Sequence, residues 1–187
     1  MPFFSAFVSL FIASALGAEP EQLAMPQFPA AWTKVFSRQG HEEMDEYTPT
    51  GQSRDNFRDK ITVEVYRKLN IPLDALQRRT VAQARAACDG VVEGKFQSGV
   101  NNGYASAFWT LGCKNLKRTD FGETRYTKVI QSGDTLYVVT RLWRTKKYDD
   151  KGPDIPPQSI QEGTQFLITT VICQAGSSQH PCPEGTR

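Results

Sequence analysis

Hydrophobic and polar positions alternate most clearly between Lys60 and Leu69. Ile61, Val63, Val65 and Arg67 fall on one side, and Thr62, Glu64, Tyr66 and Lys68 on the other, which is the two-residue period of a half-buried strand. The same reading predicts strands from Trp32 to Gln39 and from Glu42 to Thr48, paired across Gly40-His41, with a turn at Pro49-Thr50-Gly51-Gln52. Two more strands run from Val91 to Gly99 and from Tyr104 to Cys113. The link between them, Gly99-Val100-Asn101-Asn102-Gly103, contains two residues, Asn102 and Gly103, that tolerate positive φ. Glu123 to Ile130 and Thr135 to Thr145 predict the strongest hairpin, closed at Ser132-Gly133.

The period lengthens to that of a helix twice. Asn70 suits a cap region and Pro72 a first turn. Leu73, Leu76, Thr80, Ala84 and Ala87 then form one stripe, with Arg78, Arg79 and Arg85 on more exposed arcs, and Cys88-Asp89-Gly90 ends the run. From Gln158 to Ala175 the stripe is Ile160, Gly163, Leu167, Val171 and Gln174, with Phe166 beside it. The stretch Ile168-Thr169-Thr170-Val171-Ile172 is β-branched, so a strand stands there as an alternative to the helix. Residues 19–30 hold Pro20, Pro26 and Pro29 and read as an extended lead-in, and Lys146 to Pro157 reads as a polar loop. The order β-β-β-α-β-β-β-β-α, with mostly short connections, predicts an α+β fold: an antiparallel β-sheet with two main helices packed on it.

One apolar stretch obeys neither period. Phe3 to Leu16 carries no charge and ends in small residues. It is shorter than the roughly 20 residues of a membrane-spanning helix and fits the apolar region of a secretory signal. The expected organisation is a signal peptide over residues 1–18 and a single exported domain over 19–187, periplasmic or secreted and without stable membrane insertion once the signal is cleaved. Against this, Met1-Pro2-Phe3 offers no basic residue, so an uncleaved anchor is the competing reading.

An exported chain gives its cysteines a meaning. Cys88, Cys113, Cys173 and Cys182 are even in number, as expected of disulfides in an oxidising compartment. Pairing Cys88 with Cys113 and Cys173 with Cys182 closes two short local loops. A metal site built on Cys173, His180 and Cys182 would lack the second ligand pair usual for zinc, so neither a metal nor a cofactor is expected. The 187 residues hold 39% hydrophobic and 22% charged side chains, which excludes a disordered tail, a coiled coil and a polytopic membrane protein. Lys and Arg total 22 against 20 Asp and Glu. A net charge of +2 is small for a nucleic-acid binder, so no nucleic acid is expected as a partner.

Signs of catalysis are sparse. Histidine occurs at His41 and His180, neither beside a nucleophile signature, and no phosphate-binding or dinucleotide-binding glycine loop is present. Carboxylates cluster at Glu42, Glu43, Asp45 and Glu46 and again at Asp149, Asp150 and Asp154. A hydrolase would need two such acids facing each other across a cleft, whereas a solvated edge strand and a solvated loop are the better account of them.

The segment Glu46-Tyr47-Thr48-Pro49-Thr50-Gly51-Gln52, the run YTKVIQSGDTLYVVTRLWR ending at Arg144, and Cys88 with Cys113 together resemble small exported bacterial proteins of unassigned activity. The element order is also similar to the Mog1/PsbP-type α-β-α sandwich. Neither resemblance implies catalytic residues. The candidate site is one face of the last hairpin, on which Tyr126, Lys128, Tyr137, Arg141 and Trp143 lie together. The opposite face, with Val129, Leu136, Val138 and Leu142, is more aliphatic and is expected to meet the core. Tyr, Trp and Arg are frequent interface anchors, so an exposed face would bind a protein or anionic partner. If a helix covers it, Arg141 should instead pair with a carboxylate. The function expected is that of a non-enzymatic protein binding a partner in the cell envelope, such as an inhibitor, immunity or assembly factor. A small carboxylate-dependent hydrolase is the alternative.

Overall fold

The computed structural model describes residues 20–28 and 31–184. The expected signal segment, residues 1–18, lies outside the described residues. Ten strands and two helices follow in the order β1 (Glu21–Ala24), β2 (Trp32–Arg38), β3 (Glu42–Pro49), β4 (Asp59–Tyr66), α1 (Leu73–Ala87), β5 (Cys88–Glu93), β6 (Gln97–Asn101), β7 (Tyr104–Leu116), β8 (Phe121–Ser132), β9 (Thr135–Lys146), α2 (Pro157–Thr169) and β10 (Val171–Gln174). The main sheet is antiparallel in the order β2-β3-β4-β9-β8-β7, and both β5 and β6 pair with the outer side of β7. The α+β class read from the sequence is what the structure has.

The helices lie on opposite faces of this sheet. Residues directly opposite in the β8–β9 ladder share a face, so Val129, Leu136 and Val138 look one way and Tyr126 and Val139 the other. Leu73 and Leu76 of α1 pack against the first set. Phe166 and Leu167 of α2 pack with Val139, Ile61 and Val63 on the second, where Met25 and Phe28 of the lead-in join them. Each helix buries one apolar stripe against an alternating sheet, which gives three layers.

Several boundaries differ from expectation, each for a local reason. The hairpin turn falls one residue later than predicted: Ser132 pairs with Thr135, and Gly133 takes a φ of 54° as the first of two turn residues. Lys128 therefore faces Val139 rather than Tyr137, and Tyr126 faces Arg141 rather than Val139. A displacement of two residues keeps every side chain on its predicted face. Pro72 is itself the N-cap of α1, so Asn70 lies outside the helix. The predicted strand from Val91 to Gly99 is two strands, β5 and β6. The Asn102-Gly103 turn is tighter than expected, with both residues at positive φ.

The end of the chain divides between its two readings. Ile168 and Thr169 finish α2, whereas Val171 and Ile172 belong to β10. The lead-in contains β1, which the sequence reading left unassigned, and β1 pairs with β10 in a separate two-stranded ribbon. Val171 and Gln174, placed on the helix stripe by period alone, therefore sit in a strand. Both predicted disulfides are present, Cys88–Cys113 and Cys173–Cys182. Among the described residues no helix is long and apolar enough to cross a membrane.

Candidate functional site

The face carrying Tyr126, Lys128, Tyr137, Arg141 and Trp143 is not exposed, which corrects the expectation of an open partner-binding surface. Lys128, Arg141 and Trp143 are only 6%, 4% and 3% accessible, and Tyr126 and Tyr137 are half-buried. Their polar groups are spent inside the molecule. Lys128 Nζ donates to the carbonyls of Ile168 and Thr170 at 3.0 and 2.5 Å, where the exposed carbonyl end of α2 favours a cation. Burial nevertheless pulls the Lys128 ammonium down to about 8. Arg141 donates to Asp59 Oδ2 at 2.5 Å, and its guanidinium lies 4.4 Å from the Trp32 ring centre. Trp143 packs edge-on to Tyr126 and lies under α2 at Gly163, where a Cβ would come within 2.7 Å of the indole. The helix covers this face, and a carboxylate pairs Arg141.

The acids of the early cluster are held in ion pairs along β3. β3 is not an edge strand, since β2 and β4 flank it. Each of its acids has a basic partner: Glu42 with Arg38, Glu43 with Arg67, Asp45 with Lys34, and the buried Glu46 with both Arg54 and Lys60. In the late loop Asp150 pairs with Lys114. His41 lies in the exposed β2–β3 turn. His180 stacks on Tyr104 at 4.4 Å, with Nδ1 2.9 Å from the Asn102 carbonyl oxygen. Cys173 and Cys182 are bonded to each other, which removes them as thiolate ligands.

A second region is a cleft of about 1020 Å³ between residues 55–59, the far end of β8–β9 and the loop running from Lys146 into α2. Its walls include the buried Phe57, Trp143 and Ile155. Arg144 organises one side. It donates to Glu123 Oε1 at 2.9 and 3.1 Å and to the Asp55 carbonyl at 3.0 Å, and its guanidinium sits 4.0 Å from the Phe57 ring centre. The other side is a loop pinned by Tyr148. A Cβ on Gly112 or Gly122 would lie 2.6 Å from the tyrosine side chain, so its ring occupies a slot that two glycines leave open. Its hydroxyl is 3.2 Å from Thr124 Oγ1, and its backbone N–H donates to the Lys114 carbonyl at 3.0 Å. Glycine within a strand often marks such a close approach, and Gly112 and Gly122 are the sequence signal that could have announced it.

Charge at this cleft is available to solvent. Arg58, Lys146, Lys147 and Lys151 line it and are exposed. Among the described residues none of the four makes an ion pair, while Asp55, Asp149 and Asp154, also without ion pairs, supply negative charge nearby. Phe121 is 46% exposed at the same opening. Asp59 also lines the cleft. Burial pushes its pKa up, against the opposing pull of Arg141. Through that pair the cleft adjoins a smaller one of about 750 Å³ along α2, which Arg141 lines together with Gln27, Gln158, Gln161 and Gln165.

No protein-family model matches this sequence, and no curated protein does. Among solved structures the chain is similar to the Saccharomyces cerevisiae Ran-binding protein Mog1p, at 10% identity and a TM-score of 0.49, over 81% of this chain and 97% of that one. A likeness at this level assigns neither an activity nor a partner.

Proposed function

We propose that this protein is exported and acts without catalysis, binding a protein or anionic partner through the cleft between residues 55–59 and 146–157. The observation that carries the reading is the grouping of Arg58, Lys146, Lys147 and Lys151, exposed and without ion pairs among the described residues, around a recess with the half-exposed Phe121 at its mouth. Unpaired cations beside an exposed aromatic ring give a partner both long-range attraction and an apolar contact. The short apolar leader and the two disulfides support a site of action outside the cytoplasm.

Capture from the organism's own cell envelope tests this, using the mature protein and a Lys147→Glu/Lys151→Glu variant as baits. Both lysines are exposed loop residues, so the melting temperature should hardly move. The wild type should retain one stoichiometric partner that elutes with rising salt. The variant should retain about tenfold less, since reversing charges at an interface acts on encounter and specificity. Equal capture by both baits would remove the cleft from the binding surface.

A further inference from the structure

The two disulfides differ in how an incoming thiol can reach them. Cys88 and Cys113 are 7% and 4% accessible and lie in the core cluster beneath α1, with Val81, Ala84 and Leu111. Cys173 is fully buried in β10, at 0%. Its partner Cys182 is partly exposed, on the tail segment that follows β10. Of the four cysteines, Cys182 is the one that offers an approaching thiolate the most exposed residue.

One side chain is placed to assist. Gln22 of β1 stands directly across the ribbon from Cys173. Its Nε2 donates to Cys182 Sγ at 3.4 Å and to Cys173 Sγ at 3.8 Å. An amide N–H directed at a disulfide stabilises the negative charge that appears on the departing sulfur.

We propose that Cys173–Cys182 is a thiol–disulfide exchange site that takes dithiols, with Cys182 as the attacked sulfur and Gln22 as a positioning residue whose N–H polarises the Sγ–Sγ bond. The thiolate of the dithiol bonds to Cys182 Sγ. The Sγ–Sγ bond breaks, and its electron pair leaves on Cys173 Sγ, which is protonated by water once release of Cys182 frees the tail above it. The second thiolate of the reductant then displaces Cys182 from the mixed disulfide. The dithiol is oxidised to a disulfide, and Cys173 and Cys182 are reduced to thiols. The tail is then held by non-covalent contacts: the His180–Tyr104 stack, the Gln174 N–H to His180 carbonyl bond at 2.8 Å, and the Asn102 side chain donating to the Pro181 carbonyl at 3.1 Å. Cys88–Cys113 stays closed as long as the core does.

The native full chain, treated with dithiothreitol, acid-quenched at intervals and alkylated in denaturant, reports each bridge by peptide mass. Cys173 and Cys182 should become alkylated at least about tenfold sooner than Cys88 and Cys113, as accessible bridges exchange before buried ones. With the monothiol glutathione, the mixed disulfide should sit on Cys182. Gln22→Leu should slow the tail bridge about threefold or more while leaving the core bridge and the melting temperature unchanged. Equal opening of the two bridges, earlier opening of Cys88–Cys113, or an adduct on Cys173 would overturn the proposal. A Gln22→Leu variant that exchanges at the wild-type rate would overturn the role given to Gln22.

Discussion

Lys128 holds two opposing effects in one side chain. Two carbonyls at the end of α2 accept from its ammonium, yet burial lowers its proton affinity to about 8. The folded state thus binds this proton more weakly than the unfolded chain, whose lysine titrates near 10.5. Protonation favours unfolding, so this group's contribution to stability rises as pH climbs from about 8 to about 10.5 and is level below that window. Tyr66 and Tyr104, both held protonated beyond pH 10, act in the opposite sense at the top of the range. Comparison with Lys128→Met isolates the lysine. At pH 7 the variant should lose about 1–3 kcal/mol, because the buried Thr170 carbonyl and the part-buried Ile168 carbonyl lose their donor, and the gap to the wild type should widen between pH 8 and 10 in denaturant titrations. A gap that stays constant would mean that Lys128 remains charged throughout. The alternation around Lys128 is plain in the sequence. What it reaches is not, because its acceptors lie 40 and 42 residues further along the chain.

The docking of α2 turns on Gly163. A mid-helix glycine ordinarily costs about 1 kcal/mol against alanine, so propensity alone would make Gly163→Ala stabilising. Its Cβ, however, would stand 2.7 and 2.8 Å from two atoms of the Trp143 ring and 3.1 Å from Arg141 Cγ. That ring is held edge-on by Tyr126 at 5.1 Å and has little room to retreat. Overpacking of this kind costs about 1–3 kcal/mol, so the variant should unfold more easily by roughly 1–2 kcal/mol, read as a lower denaturation midpoint at unchanged helical content. A more stable variant would show that Trp143 gives way. The helix period had put Gly163 on the buried stripe, but not which ring required it to be glycine. The same limit applies to α2 and β10. A period that continues through Val171 and Gln174 cannot register that β1, about 150 residues earlier by the Gln22–Cys173 separation, offers a strand edge for them.

For the molecule as a whole, the two bridges should contribute unequally. Cys88–Cys113 ties the start of β5 to β7 inside the cluster that seats α1. Cys173–Cys182 closes a nine-residue step to the tail. Loss of a native bridge typically costs about 2–5 kcal/mol. Replacing Cys88 and Cys113 together by Ser should fall at the upper end of that range and replacing Cys173 and Cys182 at the lower, compared by denaturant unfolding. A larger loss from the tail pair would reverse the ranking.

The α+β class, most of the strands, both helix starts to within a few residues and the pairing of four cysteines were all present in the amino-acid order. These rest on local physics: side-chain period, the positive φ of Asn102 and Gly103, and the short spans between paired cysteines. The fate of the aromatic and basic hairpin face was decided by tertiary contacts. Asp59 meets Arg141 across 82 residues, and α2 folds back so that Gly163 receives Trp143 and its terminal carbonyls receive Lys128. The charged cleft likewise exists because Tyr148 finds a slot opened by Gly112 and Gly122 on two other strands. A face is written in the period of its own strand, but what covers it depends on a distant segment competing with water for the same surface.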